Sequence, residues 1–285
     1  MLGILFSLLP LFGWGSSDYV SSILSKKAQP ATVNLAFFAI TTVPVMLFCS
    51  LYGWPEVSVK ILFSFFVVEL ILTAGFMTMI KAFSTGATGI VAPISNAYAI
   101  ITLILAVIFL GVSVNLLQVL SIFTVMAGIG LLTYKKQLIS NTARRKGELY
   151  ALLAMVLFGF GFAGFDIVST QEWYQNTILF QLVGLTVAIL VYFVTIKKDN
   201  INEVVKVSKM PITILGGLSA SVGTLGLFIA IQNTNNIAIP ASIAAASPLI
   251  TIALSRRFDK EHLSLHQYIG AVVVVLGIVL LSLSI

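Results

Sequence analysis

The chain has 285 residues, of which 59% are hydrophobic and only 9% charged, with a mean hydropathy of +1.07. Soluble domains carry about 25% charged residues, so a water-soluble fold has nowhere to bury this much apolar surface and the solvent must be a lipid bilayer. The net charge of +6 then reads as cytoplasmic loops rather than a nucleic-acid surface, and the single cysteine, Cys49, excludes an intrachain disulfide or a multi-thiolate metal site.

A helix needs about 20 apolar residues to cross the hydrocarbon core. Ten segments meet that requirement and predict an all-α integral membrane fold. The first, 2–24, lacks the small-residue cleavage site of a removable leader and is expected to stay as a span. It carries Phe12-Gly13-Trp14-Gly15-Ser16-Ser17-Asp18, an acid among apolar, aromatic and small residues. Span 2 covers 31–53 and ends at Trp54; span 3, 61–80, holds Glu69 near its middle. Span 4, 87–110, contains Pro93 with Ser95, Asn96 and Tyr98 beside it. Span 5, 116–134, completes a first half, 1–134. A basic linker, 135–147, separates it from the second half, 148–285.

The second half opens with span 6, 148–170, where the first motif returns as Phe160-Gly161-Phe162-Ala163-Gly164-Phe165-Asp166. Trp173 and Tyr174 precede span 7, 174–196, which carries Gln181. Span 8 is 211–231. Span 9, 237–255, contains Ser242, Ser247 and Pro248, and span 10 is 265–284. His262 and His266, four residues apart, have no fixed third ligand and read as a solvated helix start rather than a metal site.

Every one of the 16 Lys and Arg residues except Lys60 follows an odd-numbered span. By the positive-inside rule the odd loops are cytoplasmic and both termini face outward. Trp54, Trp173 and Tyr174 then fall at the outer boundary as interfacial anchors.

Further segments of the two halves align. Residues 90–102 match 239–251, and 116–132 match 265–281, pairing Thr102 with Thr251, Gln118 with Gln267 and Gly128 with Gly277. Five spans per half is an odd number, so the second half must enter the membrane inverted. Inverted repeats are a transporter architecture, with a site near the midplane and alternating access between halves.

The five-plus-five halves, the Phe-Gly-Trp-Gly-Ser-Ser of span 1 and the Val-Ala-Pro-Ile-Ser of span 4 resemble the EamA-type branch of the drug/metabolite transporter superfamily. The resemblance covers essentially the whole chain. It implies a ten-helix carrier of small metabolites in the cytoplasmic membrane, often an exporter of amino acids or related compounds. The chain departs from the family pattern after span 4, where Gly111-Val112-Ser113 stands in place of a Gly-Glu-Arg turn. Family members are also commonly drawn with both termini inside.

Within the spans, three residues would carry charge in the hydrocarbon region: Asp18, Glu69 and Asp166. Placing a carboxylate at a helix centre costs about 2.5–3.5 kcal/mol on insertion scales, so such a group faces a cavity or a partner. Glu69 has no Lys or Arg at comparable depth and no counterpart in the repeat, whose aligned residue is Leu218. It is the candidate for proton coupling; the competing reading is a permanently neutral side chain bonded to a neighbouring helix. Asp18 and Asp166 lean toward opposite faces, about 15 Å apart in depth at 1.5 Å per residue, and read as gate or cavity acids or as structural groups near helix ends. Pro93 and Pro248 each remove a helix donor and are candidate hinges. Ser95, Asn96 and Tyr98 beside Pro93, and Ser242 and Ser247 in the corresponding region of span 9, make spans 4 and 9 the expected cavity walls. With the matched aromatics Trp14 and Phe162 of spans 1 and 6 and Gln181 of span 7, they are the substrate-binding candidates.

No Gly-rich Gly-Lys-Ser/Thr loop is present for ATP drive, and no nucleophile, base or metal constellation for an enzyme. The expected activity is secondary transport of a small cationic, zwitterionic or neutral metabolite against protons, without a cofactor. A sugar or drug carrier is the alternative, and a non-transporting scaffold or sensor a distant one. Strongly anionic solutes would need Lys or Arg deep in the spans.

Overall fold

A computed structural model of the chain describes residues 2–110, 115–133, 142–169, 171–196, 201–234, 240, 243–244, 246–260 and 263–283. These are helical with short connections and contain no strand. In chain order the helices are α1 (Leu2–Leu24), α2 (Pro30–Cys49), α3 (Val59–Thr85), α4 (Thr88–Ser95), a 3₁₀ turn (Asn96–Tyr98) and α5 (Ala99–Leu110). After these come α6 (Leu116–Thr133), α7 (Thr142–Val168), α8 (Trp173–Thr195), α9 (Ile201–Ser208), α10 (Pro211–Thr234), α11 (Pro248–Phe258) and α12 (Leu265–Leu283). Five of them, α2, α3, α7, α8 and α10, are long and apolar enough to cross a membrane by length and composition. Their outer faces carry large apolar side chains, Leu47, Phe63 and Val194 among them, exposed as lipid contact requires.

The helix starts follow local chemistry. Pro30 and Pro211 occupy the first helical residue, where a missing N–H costs nothing. The Ser58 hydroxyl accepts from the Ile61 N–H at the start of α3. Asn115 and Gln118 cap α6 reciprocally, each backbone N–H donating to the other's side-chain oxygen. At the start of α12 the Ser264 N–H donates to Gln267 in the same way. The glutamines shared by the two halves are therefore helix caps.

Proline acts differently at its two candidate hinges. Pro93 lies inside α4, which ends two residues later at Ser95, and Ala97 in the following turn has non-helical ψ of 16°. Pro248 opens α11 instead of interrupting a helix, with the break at the turn Ala246–Ser247 before it. The short helix α9 was not expected. It buries Val204 and Val207 on one face of the connection between α8 and α10.

Packing is mainly between the halves. The largest contacts join α1 to α10, α3 to α7, α6 to α12 and α2 to α8. Exchanging each helix for its counterpart in the other half turns α1–α10 into α7–α3 and leaves the α2–α8 and α6–α12 pairs unchanged. The contact pattern therefore has a two-fold character. Small residues permit it: a Cβ at Gly128 would lie 2.6 Å from the Val274 N, and one at Gly277 2.8 Å from the Val125 N.

Connections gather at two ends. Gln171 bonds the backbone of Glu56, Gln175 donates to the Trp54 carbonyl, and Gln232 donates to Glu172. At the other end the Tyr19 hydroxyl donates to Asp259 and Gly147 packs on Gly86.

Candidate functional site

A cavity of about 170 Å³ lies between the halves, lined by α1, α2, α3, the 3₁₀ turn, α7, α8 and α10. Its lining includes Trp14, Asp18, Glu69, Asn96, Tyr98, Phe162 and Gln181, which were candidates from sequence. Span 4 contributes only Asn96 and Tyr98, and no described residue of span 9 lines it, so these two spans are less central to the wall than expected. Ser95 is fully buried outside the lining, its hydroxyl without a hydrogen-bond partner among the described residues. Ser242, His262 and the side chain of Asp166 lie outside the described residues.

At one end, Asn96 organises the site. Its Nδ2 donates to Asp18 Oδ2 at 3.2 Å and to the Ala92 carbonyl at 3.0 Å, while Ser247 donates to its Oδ1 at 3.4 Å. The residue occupies the 3₁₀ turn that ends α4, so the break itself aims the amide at α1. Asp18, Asn96 and Ser247 thus join the broken helices of both halves to the acid. Tyr98, two residues on, stacks on Phe162 with centroids 4.5 Å apart, and Phe162 meets Trp14 at 6.1 Å.

Glu69 stands on α3 and is 1% exposed. Neither carboxyl oxygen has a hydrogen-bond partner among the described residues. Gly184 on α8 makes room for it: a Cβ there would sit 3.0 Å from Glu69 Oε2. One turn away Gln181 donates to the Thr41 and Thr42 hydroxyls at 2.8 and 3.0 Å. This commits the amide N–H groups to α2. The lining contains no Lys, Arg or His among the described residues.

Several lining residues were missed from sequence. Thr41 lines the cavity and forms with Thr42, which Gln181 also bonds, an adjacent polar pair within span 2, a signal that was legible. Phe37, Phe38, Phe76, Phe165, Phe180 and Phe228 carried none, because a chain with 20 phenylalanines offers no pattern separating cavity from lipid contact.

A model of the EamA-like transporter family matches residues 1–134 and again 145–283. The chain belongs to the EamA-like transporter family. It is accordingly a multi-pass membrane protein of a transporter family within the drug/metabolite transporter superfamily. An uncharacterised protein of Methanocaldococcus jannaschii is 33% identical over 137 residues, 48% of this chain but 96% of that protein. A stretch of about half the length of this EamA-family chain thus corresponds to nearly the whole of that relative. A solved crystal structure superposes with a TM-score of 0.60 at 13% identity, covering 99% of this chain and 96% of the other, a likeness of fold alone.

Proposed function

We propose that this protein is a proton-coupled exporter or exchanger of a small cationic, zwitterionic or neutral metabolite, working by alternating access between two inverted five-span halves. The observation that carries the reading is the cavity: two buried carboxyls, aromatic walls and no lining cation among the described residues. An acid without a compensating charge in hydrocarbon is costly, and exchanging a proton for a solute keeps it neutral throughout. Drug-sized ligands occupy pockets of about 300–1,000 Å³. The smaller volume here favours a metabolite over a drug. The reading places the protein in the cytoplasmic membrane with odd loops inside and termini outside, and Glu69 as the coupling acid.

A register difference between the halves supports alternation. Thr251 donates to the Gly15 carbonyl on α1, and Gly15 packs against Ser247 and Ile250. Their counterparts Thr102, Tyr98 and Ile101 make the same set of contacts to Gly159 on α7. The residue aligned with Gly15 is Ala163, one helical turn from Gly159. The halves therefore use the same contacts one turn out of step, and exchanging their registers interconverts two states. In the exchanged register Thr251 lies against Leu11. The pair Leu11→Cys and Thr251→Cys in a Cys49→Ser background is expected to cross-link in membranes, at a rate that solute changes. Absence of cross-linking with and without solute contradicts the exchange.

The carrier reading is tested by counterflow. Purified protein in liposomes preloaded with unlabelled amino acids, amines or sugars is expected to accumulate the matching labelled solute transiently and saturably. Linear, unsaturable entry would indicate a channel, and no entry of any solute a non-transporting role.

A further inference from the structure

We infer that the cavity is built for an aliphatic diamine, one ammonium at Asp18 and the other at Glu69; this rests on the carrier reading above and narrows its substrate class. Both acids line the same cavity but belong to different environments. Asp18 is bonded to Asn96 beside the Tyr98–Phe162 stack. Glu69 lies against α8 at Gly184, with both oxygens unpartnered among the described residues.

Their separation follows from neighbouring contacts. Val20 on α1, Gly216 on α10 and Phe37 on α2 meet at one level, and Phe37 pairs with Phe76 on α3 at 6.0 Å. Asp18 is two residues from Val20, and Glu69 is seven from Phe76, both toward the N-terminal ends of their helices. Taking these ring contacts as level with the backbone, 1.5 Å per residue separates the two acids by about 7–8 Å in depth. An extended diamine of four or five carbons spans roughly 6–7.5 Å between nitrogens at ordinary bond lengths, so its ends reach both levels.

The space between suits a methylene chain. Trp14, Phe76, Phe162 and Leu72 offer apolar and aromatic walls, and ring faces attract ammonium groups. The hydroxyls of Tyr98 and Thr73 have no hydrogen-bond partner among the described residues and supply acceptors for remaining N–H groups. Two ammoniums pair with two carboxylates in exchange for both protons, whereas a monoamine engages only one acid and leaves the other protonated. A zwitterion would bring its own carboxylate into a lining with no cation among the described residues.

The test is a length series in wild-type proteoliposomes preloaded with 1,4-diaminobutane. Labelled 1,4-diaminobutane counterflow is competed with diamines of two to eight carbons and with 1-aminobutane. The expected result is an optimum at four or five carbons and inhibition about tenfold or more stronger than by 1-aminobutane, the scale of one charged hydrogen-bonded contact. Glu69→Gln and Asp18→Asn should each shrink that diamine preference. Equal inhibition by mono- and diamines, a rank that only rises with chain length, or amino-acid counterflow without diamine counterflow would overturn the inference while leaving the carrier intact. Failure of every solute to show counterflow would overturn the carrier reading as well.

Discussion

Gly13→Leu is expected to leave little or no folded protein in membranes. A Cβ at this position would overlap the Ser219 carbonyl oxygen and lie 2.7 Å from the Gly223 N and 2.9 Å from its Cα. All three atoms are backbone, so no rotamer change relieves the overlap and α1 must move away from α10. These two helices form one of the main contacts between the halves. In lipid no hydrophobic force drives helices together, so close packing carries the association. Overpacking a core that can yield through side chains costs about 1–3 kcal/mol, and the cost here should exceed that range. Gly164→Ala is the matched control. Its Cβ would meet only the Val68 Cγ2, at 3.1 Å, and the gain in helix propensity of roughly 1 kcal/mol offsets a small adjustment. Size-exclusion profiles and thermal unfolding in detergent separate the two, and a wild-type melting midpoint for Gly13→Leu would contradict the packing described.

The second large effect is functional. Glu69→Gln keeps shape and polarity but removes the exchangeable proton. The side chain lies against Gly184 and accepts no hydrogen bond from a described residue, so the amide disturbs no existing network. The variant is expected to fold at wild-type yield, while solute-driven proton movement falls to the level of empty liposomes. Persistent proton movement in folded Glu69→Gln would shift the coupling role to Asp18 or Asp166.

Much of this arrangement was legible in the chain because a bilayer simplifies the reading. Apolar length locates helices, and the spread of Lys and Arg predicts which connections share a side. The even connections around Trp54, Gln171 and Gln232 do meet at one end of the bundle. Buried acids are conspicuous when only 9% of residues are charged, and for that reason the sequence alone singles out Asp18, Glu69 and Asp166, of which the first two line the cavity. The partners of those acids were not visible in it. Asn96 reaches Asp18 across 78 positions, and Gly184 makes room for Glu69 from another half of the chain. Such pairings arise from helix packing, and spacing along a sequence does not encode them.

The proline positions show the same limit. Both marked breaks, but whether a proline ends a helix or begins one depends on neighbouring packing, and Pro248 proved to be a first residue. Gln118 and Gln267 stood out as a repeat signature, and their role as caps emerged only with Asn115 and Ser264 in place. Helix α9 carried a readable signal in Val204 and Val207, three residues apart, hidden by the charged residues around them.

The most direct test of proton-coupled transport uses wild-type protein and Glu69→Gln in liposomes with a trapped pH dye. Amines, diamines, amino acids and sugars are added outside one at a time. Coupling through Glu69 predicts a pH change specific to one solute class with wild type and none with the folded variant. Solute entry without any pH change in wild type would contradict it, leaving a uniporter or solute exchanger in which the buried acids serve structure.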